Sequence, residues 1–573
     1  MAGFDFAAFR DQQKAQNDDA LEETGAVEAI AAAESAIADS KSKSKSAKAP
    51  PKAKRASTKR ERADSSASAE PPATRRRSTR TATIASGVSS VEERRRLQEE
   101  AEAAKEAEEK AEKARIKREK HGQRTIEAQE GATTGAGETE SLKELLDQMA
   151  RFEVTEEKGA PIWEKGKRPK ADKKKLKEVT EPLDLRAIVK IIPDRIYSLC
   201  AHPDPQRDLV FAGDKTGHLS LWDCTRAGME KSLPEEEQKI RDGVVQNGDE
   251  DEEDEREWDW GQWWTWQGHM QNAVSSIKFR PNEYKQVYSS SYDNTIRSHH
   301  FERGISEEVI DGDLYEDDGL IHSFDFDPTG NEVWASDNDG GLLFRDLRAP
   351  MDTVKRWNLD KWKIGCVTIN PANPGLAATA HLKRYMRLWD LSTLRGLSED
   401  ADLDTVLDKA LLAEYSYEKA CSSAYFDATG TRLATTSYDD TIRIWDVDPK
   451  KTKAKDYPAG DNKWKPSKTI LHNCQVGRYV TVLRAHWCTA PAYPPHLFVG
   501  DMAHTVDLYS VDPAPAGQGE KLDRSGPAKV FTDETLTAAP AVTASHPTVE
   551  GKYYGGAASG KVSFWTHRLP EDE

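Results

Sequence analysis

Cysteine is scarce in this 573-residue chain, and none of it is spaced as metal ligands or redox pairs are. No CxxC pair occurs, and no cysteine lies at a zinc-like spacing from a histidine. Most of the cysteines fall in predicted strands, where a free cysteine acts as a small core residue. We therefore expect no bound metal and a reducing compartment, nuclear or cytoplasmic. The six residues are Cys200, Cys224, Cys366, Cys421, Cys474 and Cys488.

Long apolar runs and catalytic motifs are also absent. No segment is apolar over a length that crosses a bilayer, and no signal peptide is recognisable. The sequence has no phosphate-binding loop, no nucleophile elbow and no paired carboxylates in a cleft motif. We expect a monomer without membrane association, without enzymatic activity and without a cofactor.

Aromatic residues are missing from the first 140 residues once Phe9 is passed. Such a segment buries too little apolar surface to offset the entropy of an ordered chain. We predict a disordered tail over residues 1–140, with a lone charged helix at about 91–120 held by Glu–Lys and Glu–Arg pairs. Residues 141–181 should form an amphipathic helix and a linker. The helix has an apolar stripe that favours docking on the following domain over binding a separate partner: Leu142, Leu145, Leu146, Met149 and Phe152.

Basic residues are concentrated in one part of this tail. Residues 41–80 carry fourteen Lys or Arg against three acids, although the whole chain has a net charge of −17. Local basic runs are typical of nuclear localisation signals and nucleic-acid arms, and a solvated linker is the alternative. The prediction of a nuclear protein rests on Lys52, Lys54, Arg55, Lys59, Arg60, Arg75, Arg76 and Arg77.

The segment TSYDDTIRIWDV, residues 436–447, is the pattern on which the rest of the chain is built. An alternating strand, a tight Asp-Asp turn and a second strand ending in Trp-Asp are typical of a β-propeller blade. Seven such units follow one another over residues 182–568, at a period of roughly 45 residues where no insertion intervenes. The fold class is therefore all-β. We predict a seven-bladed WD-repeat β-propeller preceded by the long, partly helical tail, with residues 569–573 as a C-terminal tail.

The last unit predicts how the ring closes. It has three strands of its own, and the β-branched segment LDLRAIVKII at residues 183–192 lies just upstream of the first unit. We expect this segment to supply the fourth strand, because pairing it leaves no long open sheet edge.

An acidic and Trp-rich insertion is expected at residues 234–267. Its acidic part ends in GDEDEEDERE and is typical of a solvated spacer, although such loops can also mimic nucleic acid or mask a basic surface. The tryptophans pack an outer strand or, alternatively, form a platform for stacking bases. They are Trp258, Trp260, Trp263, Trp264 and Trp266.

Basic residues recur at equivalent places in the repeat. In a propeller, the loops between blades and the turns between second and third strands lie on one face, here called the loop face. Six blades place a cation there, and in an acidic protein this convergence indicates binding to a phosphate backbone. Glu316, Asp317 and Asp318 fall on the same face, so the basic surface should be asymmetric. The predicted DNA-binding residues are Arg195, Lys215, Lys361, Trp362, Lys363, Lys383, Arg384, Lys419, Arg478 and Lys561.

One turn departs from the repeat. Lys383 occupies a position that holds an acid in three other units, and Arg384 follows it. A turn that serves a ligand and simple repeat decay explain this equally well. The acids at the equivalent position, each expected to tie its turn to nearby backbone, are Asp293, Asp339 and Asp439.

Arg484 lies in the predicted innermost strand of the sixth unit. A buried arginine is costly unless it is paired. Such an arginine either contacts phosphate or bonds an acid on a neighbouring blade; we expect the second for Arg484 and the first for Arg478.

Several segments together carry a family resemblance: RIYSLCAHP and FAGDKTGHLSLWD between residues 195 and 223, SSSYDNTIRSHHFE from 289, residues 362–391, and HNCQVGRYVTVLRAHW from 472. They resemble the fungal DNA damage-binding WD-repeat proteins of the "changed mutation rate" type, related to animal WD-repeat protein 76. The resemblance covers the whole propeller. It implies a nuclear protein that binds single- and double-stranded DNA, prefers ultraviolet-damaged DNA and takes part in DNA metabolism. Matching positions include Lys215, Lys383, Arg384 and Arg478.

Departures from that family are the Trp-rich insertion, the acidic loop, and His299-His300 where a blade would end in Trp-Asp.

We expect the loop cations to contact the DNA backbone and Trp362 to act as a wedge or stacking partner at a lesion. The tail should add affinity that is independent of DNA sequence.

A protein-interaction scaffold is the competing hypothesis. Asp346 and Arg348 fit the Asp-x-Arg part of the box by which substrate receptors bind a cullin ubiquitin ligase, although Arg345 replaces its Trp. A chromatin or histone-tail reader would use the loop face, with its acids holding lysines. The expected partners are thus damaged duplex and single-stranded DNA or, alternatively, chromatin proteins or a ligase adaptor.

Overall fold

The computed structural model describes residues 120–127, 139–153, 163–230, 258–314, 319–350, 353–458, 463–477, 480–515 and 517–568. Within these ranges the chain forms seven sheets built on four antiparallel strands, and the innermost strands of neighbouring blades pack around a ring in which the seventh contacts the first. The predicted seven-bladed β-propeller is confirmed. The basic run at 41–80, nearly all of the charged helix at 91–120, the acidic part of the insertion, Glu316 to Asp318 and Arg478 lie outside the described residues.

Blades 1 to 4 run from the innermost to the outer strand in chain order. Blade 1 consists of Ile196–Ala201, Leu209–Asp214, His218–Asp223 and Gln262–Gln267. Blade 2 consists of Val274–Arg280, Glu283–Ser291, Thr295–His300 and Ile305–Asp311. Blade 3 consists of Ile321–Phe326, Glu332–Asp337, Gly341–Asp346 and Lys355–Asn358. Blade 4 consists of Ile364–Ile369, Leu376–His381, Tyr385–Asp390 and Leu411–Ser416, with helices Leu391–Arg395 and Leu403–Ala410 before its outer strand.

Blades 5 to 7 are less regular. Blade 5 consists of Cys421–Phe426, Arg432–Ser437, Thr441–Asp446 and Lys468–Leu471, with Leu522–Asp523 added in parallel. Blade 6 consists of His486–Trp487, His496–Gly500, Val506–Ser510 and Lys529–Phe531. Its innermost strand is only two residues long, so Arg484 lies just before this strand and not within it. Blade 7 takes Val542–Ser545, Tyr553–Gly556 and Lys561–His567 from the end of the chain.

The outer strand of blade 7 comes from the other end of the propeller. Leu183–Lys190 pairs antiparallel with Lys561–His567, from Leu183 opposite His567 to Lys190 opposite Lys561. Leu183, Ala187 and Val189 are buried there. The predicted closing strand is confirmed, and it covers the edge that blade 7 would otherwise expose.

Segments before the closing strand also pack on the ring. Helix Thr139–Ala150 buries Leu142, Leu145, Leu146 and Met149 in one cluster with Phe211 and Trp266, so the stripe docks on blades 1 and 2. Helix Lys173–Thr180 is capped at its N-terminus by Asp172, whose carboxylate accepts from the Lys175 amide. None of the helices in the described ranges has the length and apolarity of a membrane span.

The boundary of the tail differs from the predicted one at residue 140. Arg124–Thr125 pairs antiparallel with Ile305–Asp311 as a fifth strand of blade 2. The fully buried Arg297 donates from Nη1 to the Lys120 carbonyl at 3.1 Å and from Nη2 to the Gly122 carbonyl at 2.6 Å. A buried arginine that needs these carbonyls explains why so polar a segment is held on the blade.

The Trp-rich segment divides into two parts. Trp263, Trp264 and Trp266 are buried in the outer strand of blade 1, so these three cannot stack on bases. Trp258 and Trp260 are exposed beside a short ribbon of Met229–Glu230 and Trp258–Asp259. This ribbon joins the third and outer strands, a connection that lies on the face opposite the loop face. The insertion therefore ends before residue 262.

Candidate nucleic-acid interface

The turn between the second and third strands has the same backbone geometry in every blade. One residue in each turn has a positive φ, a conformation that glycine, asparagine and aspartate adopt most readily. Arg384, with a φ of +74°, is the largest side chain in the series. The seven residues are Gly217, Asn294, Gly340, Arg384, Asp440, His504 and Gly560.

In blade 2 the turn acid holds the turn. The Asp293 carboxylate accepts from the Met270 and Thr295 amides at 3.1 and 3.0 Å, and lies 3.0 Å from Nδ1 of His269. Nε2 of His269 is 2.8 Å from the Ser289 hydroxyl, which is 2.7 Å from Nε2 of His299. His299 therefore occupies the end of this buried network, in the third strand where other blades have tryptophan.

Blade 4 has an equivalent network, but its acid comes from the loop between blades and its histidine from the second strand. The indole of Trp389 donates to the Thr379 hydroxyl at 2.7 Å, and that hydroxyl lies 2.7 Å from Nε2 of His381. Nδ1 of His381 is 2.8 Å from Oδ2 of Asp360, which comes from the loop between blades 3 and 4. Because Asp360 supplies the acid, the turn position at Lys383 no longer has to.

The same carboxylate fixes the loop that carries three predicted residues. Asp360 accepts from the Lys361 amide at 2.7 Å and from Nη1 of Arg387 at 3.1 Å. The Leu382 amide donates to the Lys363 carbonyl at 3.0 Å and so joins the loop to the turn. Five predicted residues are thereby brought together, and we call them the blade-4 cluster: Lys361, Trp362, Lys363, Lys383 and Arg384.

Trp362 is the most exposed tryptophan among the described residues, at 50%. Nζ of Lys383 lies 4.7 Å from the centre of its ring, a cation–π contact. An aromatic plane with a cation on it offers one face for stacking and a charge for a phosphate nearby.

The other predicted residues lie in two places on the loop face. Lys419 is exposed in the next loop, which the Tyr417 amide joins to the Arg384 carbonyl at 2.8 Å. Across the ring, the Lys215 amide donates to the Arg195 carbonyl at 3.0 Å, and Lys561 begins the third strand of blade 7. The structure therefore gathers the blade-4 cluster with Lys419 on one side and Arg195, Lys215 and Lys561 on the other.

The predicted cations on the loop face have no carboxylate partners in the described part of the chain. Among the described residues, none of the eight predicted cations on the loop face has a carboxylate within 4.0 Å. On the opposite face, several cations are held by neighbouring acids, as in the pairs Arg207–Asp223, Lys552–Asp208 and Arg168–Asp446 at 3.4, 2.6 and 2.9 Å. These eight cations are thus not engaged in ion pairs within the described part of the chain, and the same face also carries exposed acids such as Asp339, Glu418 and Glu534.

The expectation for Arg484 was wrong. No described carboxylate forms an ion pair with it; Nη2 donates to the Gly365 carbonyl of blade 4 at 3.3 Å, and Tyr425 and Tyr292 lie near its charge. Tyr292 and Tyr438 stand before the turn acids of blades 2 and 5, and Arg484 lowers the pKa of both hydroxyls against a larger rise due to burial. The repeated Tyr-Asp in two turns was the sequence signal for this tyrosine group, which we did not predict.

The residues of the proposed ligase box lie on the opposite face. Arg348 donates from Nε and Nη2 to Asp346 at 2.9 and 2.6 Å, and its side chain is 65% exposed. Arg345, in place of the Trp, donates to the Val309 carbonyl. The arginine that would contact an adaptor is held by its own acid.

Two groups in the described residues have the composition of a metal site. His121, Asp311 and Asp313 lie together at the edge of blade 2, but Lys120 already pairs with Asp313 at 2.7 Å. His472, Asp501 and Asp507 form the other group, where Nε2 of His472 is 3.0 Å from the Gly500 carbonyl. These contacts make both groups parts of the blade structure.

A family model described as "WD domain, G-beta repeat" matches residues 260–299 and 411–446. Each match contains the outer strand of one blade followed by three strands of the next blade. The sequence repeat is therefore shifted by one strand relative to the blade, which is also why the outer strand of blade 7 lies before blade 1 in the chain.

Curated fungal relatives match most of the chain. A Cryptococcus neoformans protein named DNA damage-binding protein CMR1 is 32% identical over 444 residues, which cover 68% of this chain and 71% of the relative. Proteins of the same name from Mycosarcoma maydis and Neurospora crassa are 27% and 31% identical, covering 69% and 66% of this chain and 74% and 65% of their own length. With this identity and coverage, the chain belongs to the family of the fungal proteins named DNA damage-binding protein CMR1.

Proposed function

We propose that this protein binds DNA through the loop face of its propeller and that it acts in the nucleus on damaged DNA. The observation that carries the proposal is the set of eight loop-face cations without a described carboxylate partner. Free cations at this density release counterions when they meet a phosphate backbone, which is the main source of affinity that is independent of sequence. The name of the fungal relatives, DNA damage-binding protein CMR1, agrees with this function.

Damage preference follows from Trp362. A lesion weakens base stacking, so an exposed ring at the edge of the basic cluster can take over a stacking contact that intact duplex keeps for itself. The basic residues of the tail, from Lys52 to Arg77, would add contacts that do not discriminate between damaged and intact DNA.

The test uses the full chain, so that the propeller remains intact. Lys383→Glu combined with Arg384→Glu reverses two adjacent cations of the loop face. The matched control is Lys450→Glu with Lys451→Glu, because these two exposed neighbours follow the third strand of blade 5 on the opposite face. A further chain carries Gln at all fourteen Lys and Arg positions of residues 41–80, which separates the contribution of the basic tail from that of the propeller.

Binding to intact and ultraviolet-irradiated duplex is measured across a salt series. With the tail neutralised, about five phosphate contacts predict a slope of log K against log salt near −4 to −5, and tighter binding to the irradiated duplex. The loop-face reversal should make the slope shallower by about 2, and the control should leave it unchanged. If neutralising the tail abolishes binding and the reversal at residues 383 and 384 has no effect, the propeller is a protein scaffold that the tail carries to DNA.

A further inference from the structure

The central channel opens on the loop face between the two groups of cations. It contains a cavity of about 600 Å³ that runs along the innermost strands; Arg195, Tyr197, Tyr292 and Arg484 line its loop-face end, and residues after the innermost strands, such as Pro328, line its other end. This volume lies within the range of about 300–1,000 Å³ that small-molecule sites occupy. We call Tyr197, Tyr292, His322, Lys363, Tyr438 and Arg484 the channel mouth.

Two cations of the channel mouth lie close together without an acid. Burial, and then the charge of Arg484, lower the pKa of Lys363 to about 8. Both approach the same residue of blade 4: Nη2 of Arg484 donates to the Gly365 carbonyl at 3.3 Å, and Cε of Lys363 lies 3.9 Å from where a Cβ at residue 365 would be. Two like charges withdrawn from water are unfavourable on their own, and an anion between them would relieve the cost.

His322 adds an unused polar group at the same place. It is 3% exposed, and neither ring nitrogen has a hydrogen-bond partner among the described residues. Burial first, then Lys363 and Arg484, lower its pKa to about 2, so the ring is neutral and offers one N–H donor and one acceptor. A buried imidazole with both nitrogens free is uncommon in a structural role.

Aromatic rings complete the channel mouth. The rings of Tyr197 and Tyr292 are 6.1 Å apart, and the Tyr292 ring is 4.8 Å from that of His322, both in edge-to-face arrangements. Tyr438 is near enough to Arg484 for the guanidinium to act on its hydroxyl. Flat rings beside cations are the combination that binds unstacked bases of nucleic acids.

We propose that the channel mouth holds one unstacked nucleotide of the bound DNA, with its phosphate between Arg484 and Lys363 and its base against Tyr197 and Tyr292. This inference rests on the proposed function, because the loop-face cations must first bring the DNA to the channel. An acidic peptide would also satisfy the two cations. The tyrosines and the surrounding cations, which can follow further phosphates, favour the nucleotide.

The test compares a fully paired DNA hairpin with the same hairpin carrying one unpaired thymidine, placed either inside the stem or at its 5′ end. The full-length wild type should bind an unpaired substrate about tenfold more tightly than the paired one. A neutral methylphosphonate at the unpaired nucleotide should remove most of this preference. That measurement needs no variant and therefore does not depend on a mutant folding.

Two variants address the site itself. Arg484→Gln removes one charge, and Gly365→Leu places an apolar side chain beside Lys363 while keeping both charges; a Cβ at residue 365 would lie no nearer than 3.8 Å to its neighbours. Both should reduce the tenfold preference to less than about threefold. Lys409→Gln, an exposed lysine on the helix before the outer strand of blade 4, is the control and should retain it.

The outcomes separate this inference from the proposed function. Binding of paired DNA without any preference for the unpaired nucleotide, or a preference that survives Arg484→Gln and the methylphosphonate, overturns the channel site and leaves the loop face as a DNA-binding surface. A Glu-rich peptide that binds the wild type but not Arg484→Gln, with no preference among the DNAs, assigns the mouth to a protein partner and also overturns it. The loop-face reversal at residues 383 and 384 tests the proposed function alone: an effect on DNA binding supports the loop face as the binding surface, and it does not decide whether the channel mouth holds a nucleotide.

Discussion

Arg384 combines an unfavourable backbone conformation with an exposed charge. Its φ of +74° occurs at a turn position where other blades have glycine, asparagine, aspartate or histidine. For a long L-side chain this conformation costs about 1 kcal/mol or more. The side chain makes no ion pair with a described residue, so no charge pairing within the described part of the fold offsets that cost. Our proposal accounts for this arginine as a phosphate contact.

Replacing Arg384 by Asn tests this explanation. Asparagine tolerates the positive φ, so we expect the free energy of unfolding to rise by about 0.5–1 kcal/mol. DNA affinity should fall at the same time, with the salt slope shallower by about 0.9, because one phosphate contact is lost. Denaturant unfolding and a salt series of DNA binding on the same preparations give the two values.

His504→Asn is the matched control, because His504 has a φ of +65° in the equivalent turn of blade 6 and is exposed. This variant should gain stability without a change in the salt slope. An Arg384→Asn protein that is more stable and binds DNA as the wild type does would show that the arginine serves no phosphate.

At the scale of the element, the turns of blades 2 and 4 show two ways to hold the same hairpin. Blade 2 takes its histidine from the loop and its acid from the turn, as His269 and Asp293; blade 4 takes the acid from the loop and the histidine from the second strand, as Asp360 and His381. Blade 3 shows a further arrangement, because Asp337 accepts from the Gly341 amide at 2.6 Å while Asp339 is exposed. The turn position of blade 4 is thereby free to carry Lys383.

Asp293→Asn should show how much the turn acid contributes. Burial alone would raise the pKa of Asp293, but His269 and the hydrogen bonds from Thr295 and Met270 hold it well below its usual range. The carboxylate therefore stabilises the fold fully above its unfolded pKa of about 3.9, and this contribution is lost as the pH falls through the lower folded value. We expect the variant to lose about 2–3 kcal/mol at pH 7 and progressively less below pH 4.

Urea unfolding of both proteins between pH 7 and pH 3 measures this difference. Asp339→Asn provides the comparison at the same repeat position and should change stability by less than about 0.5 kcal/mol. An Asp293→Asn penalty that stays constant down to pH 3 would contradict the assignment of the effect to the ionised carboxylate.

At the scale of the whole molecule, segments that precede the first repeat in the chain are also part of the folded structure. The carbonyls of Lys120 and Gly122 accept from the buried Arg297, and helix Thr139–Ala150 covers blades 1 and 2. We expect a chain that begins at residue 182 to unfold several degrees below one that begins at residue 120, because it leaves Arg297 and an apolar surface uncovered. Thermal unfolding of the two chains makes the comparison, and equal midpoints would contradict it.

Much of this architecture could be predicted because short sequence segments determine it. Alternating residues and turn acids such as Asp439 mark hairpins, and the missing fourth strand identifies Leu183–Lys190 as its replacement. The exchange of Asp360 and His381 could not be predicted, because it depends on two loops meeting in space. The fifth strand at Arg124–Thr125 was missed for a related reason: its stability comes from a buried partner on another element and not from its own composition. Basic positions on the loop face were predicted from the repeat, whereas the partner of Arg484 required the distance across the channel.

The closing strand also has a consequence for how the protein is made. Residue 561 is 378 positions after residue 183, so at a synthesis rate of about 5–20 residues per second the ribosome needs roughly 20–75 s to deliver the partner of Leu183–Lys190. During that time the strand Leu183–Lys190 of the nascent chain has an unpaired edge. Folding of this propeller can therefore be completed only after residue 567 has been synthesised, and until then Leu183–Lys190 has no partner strand.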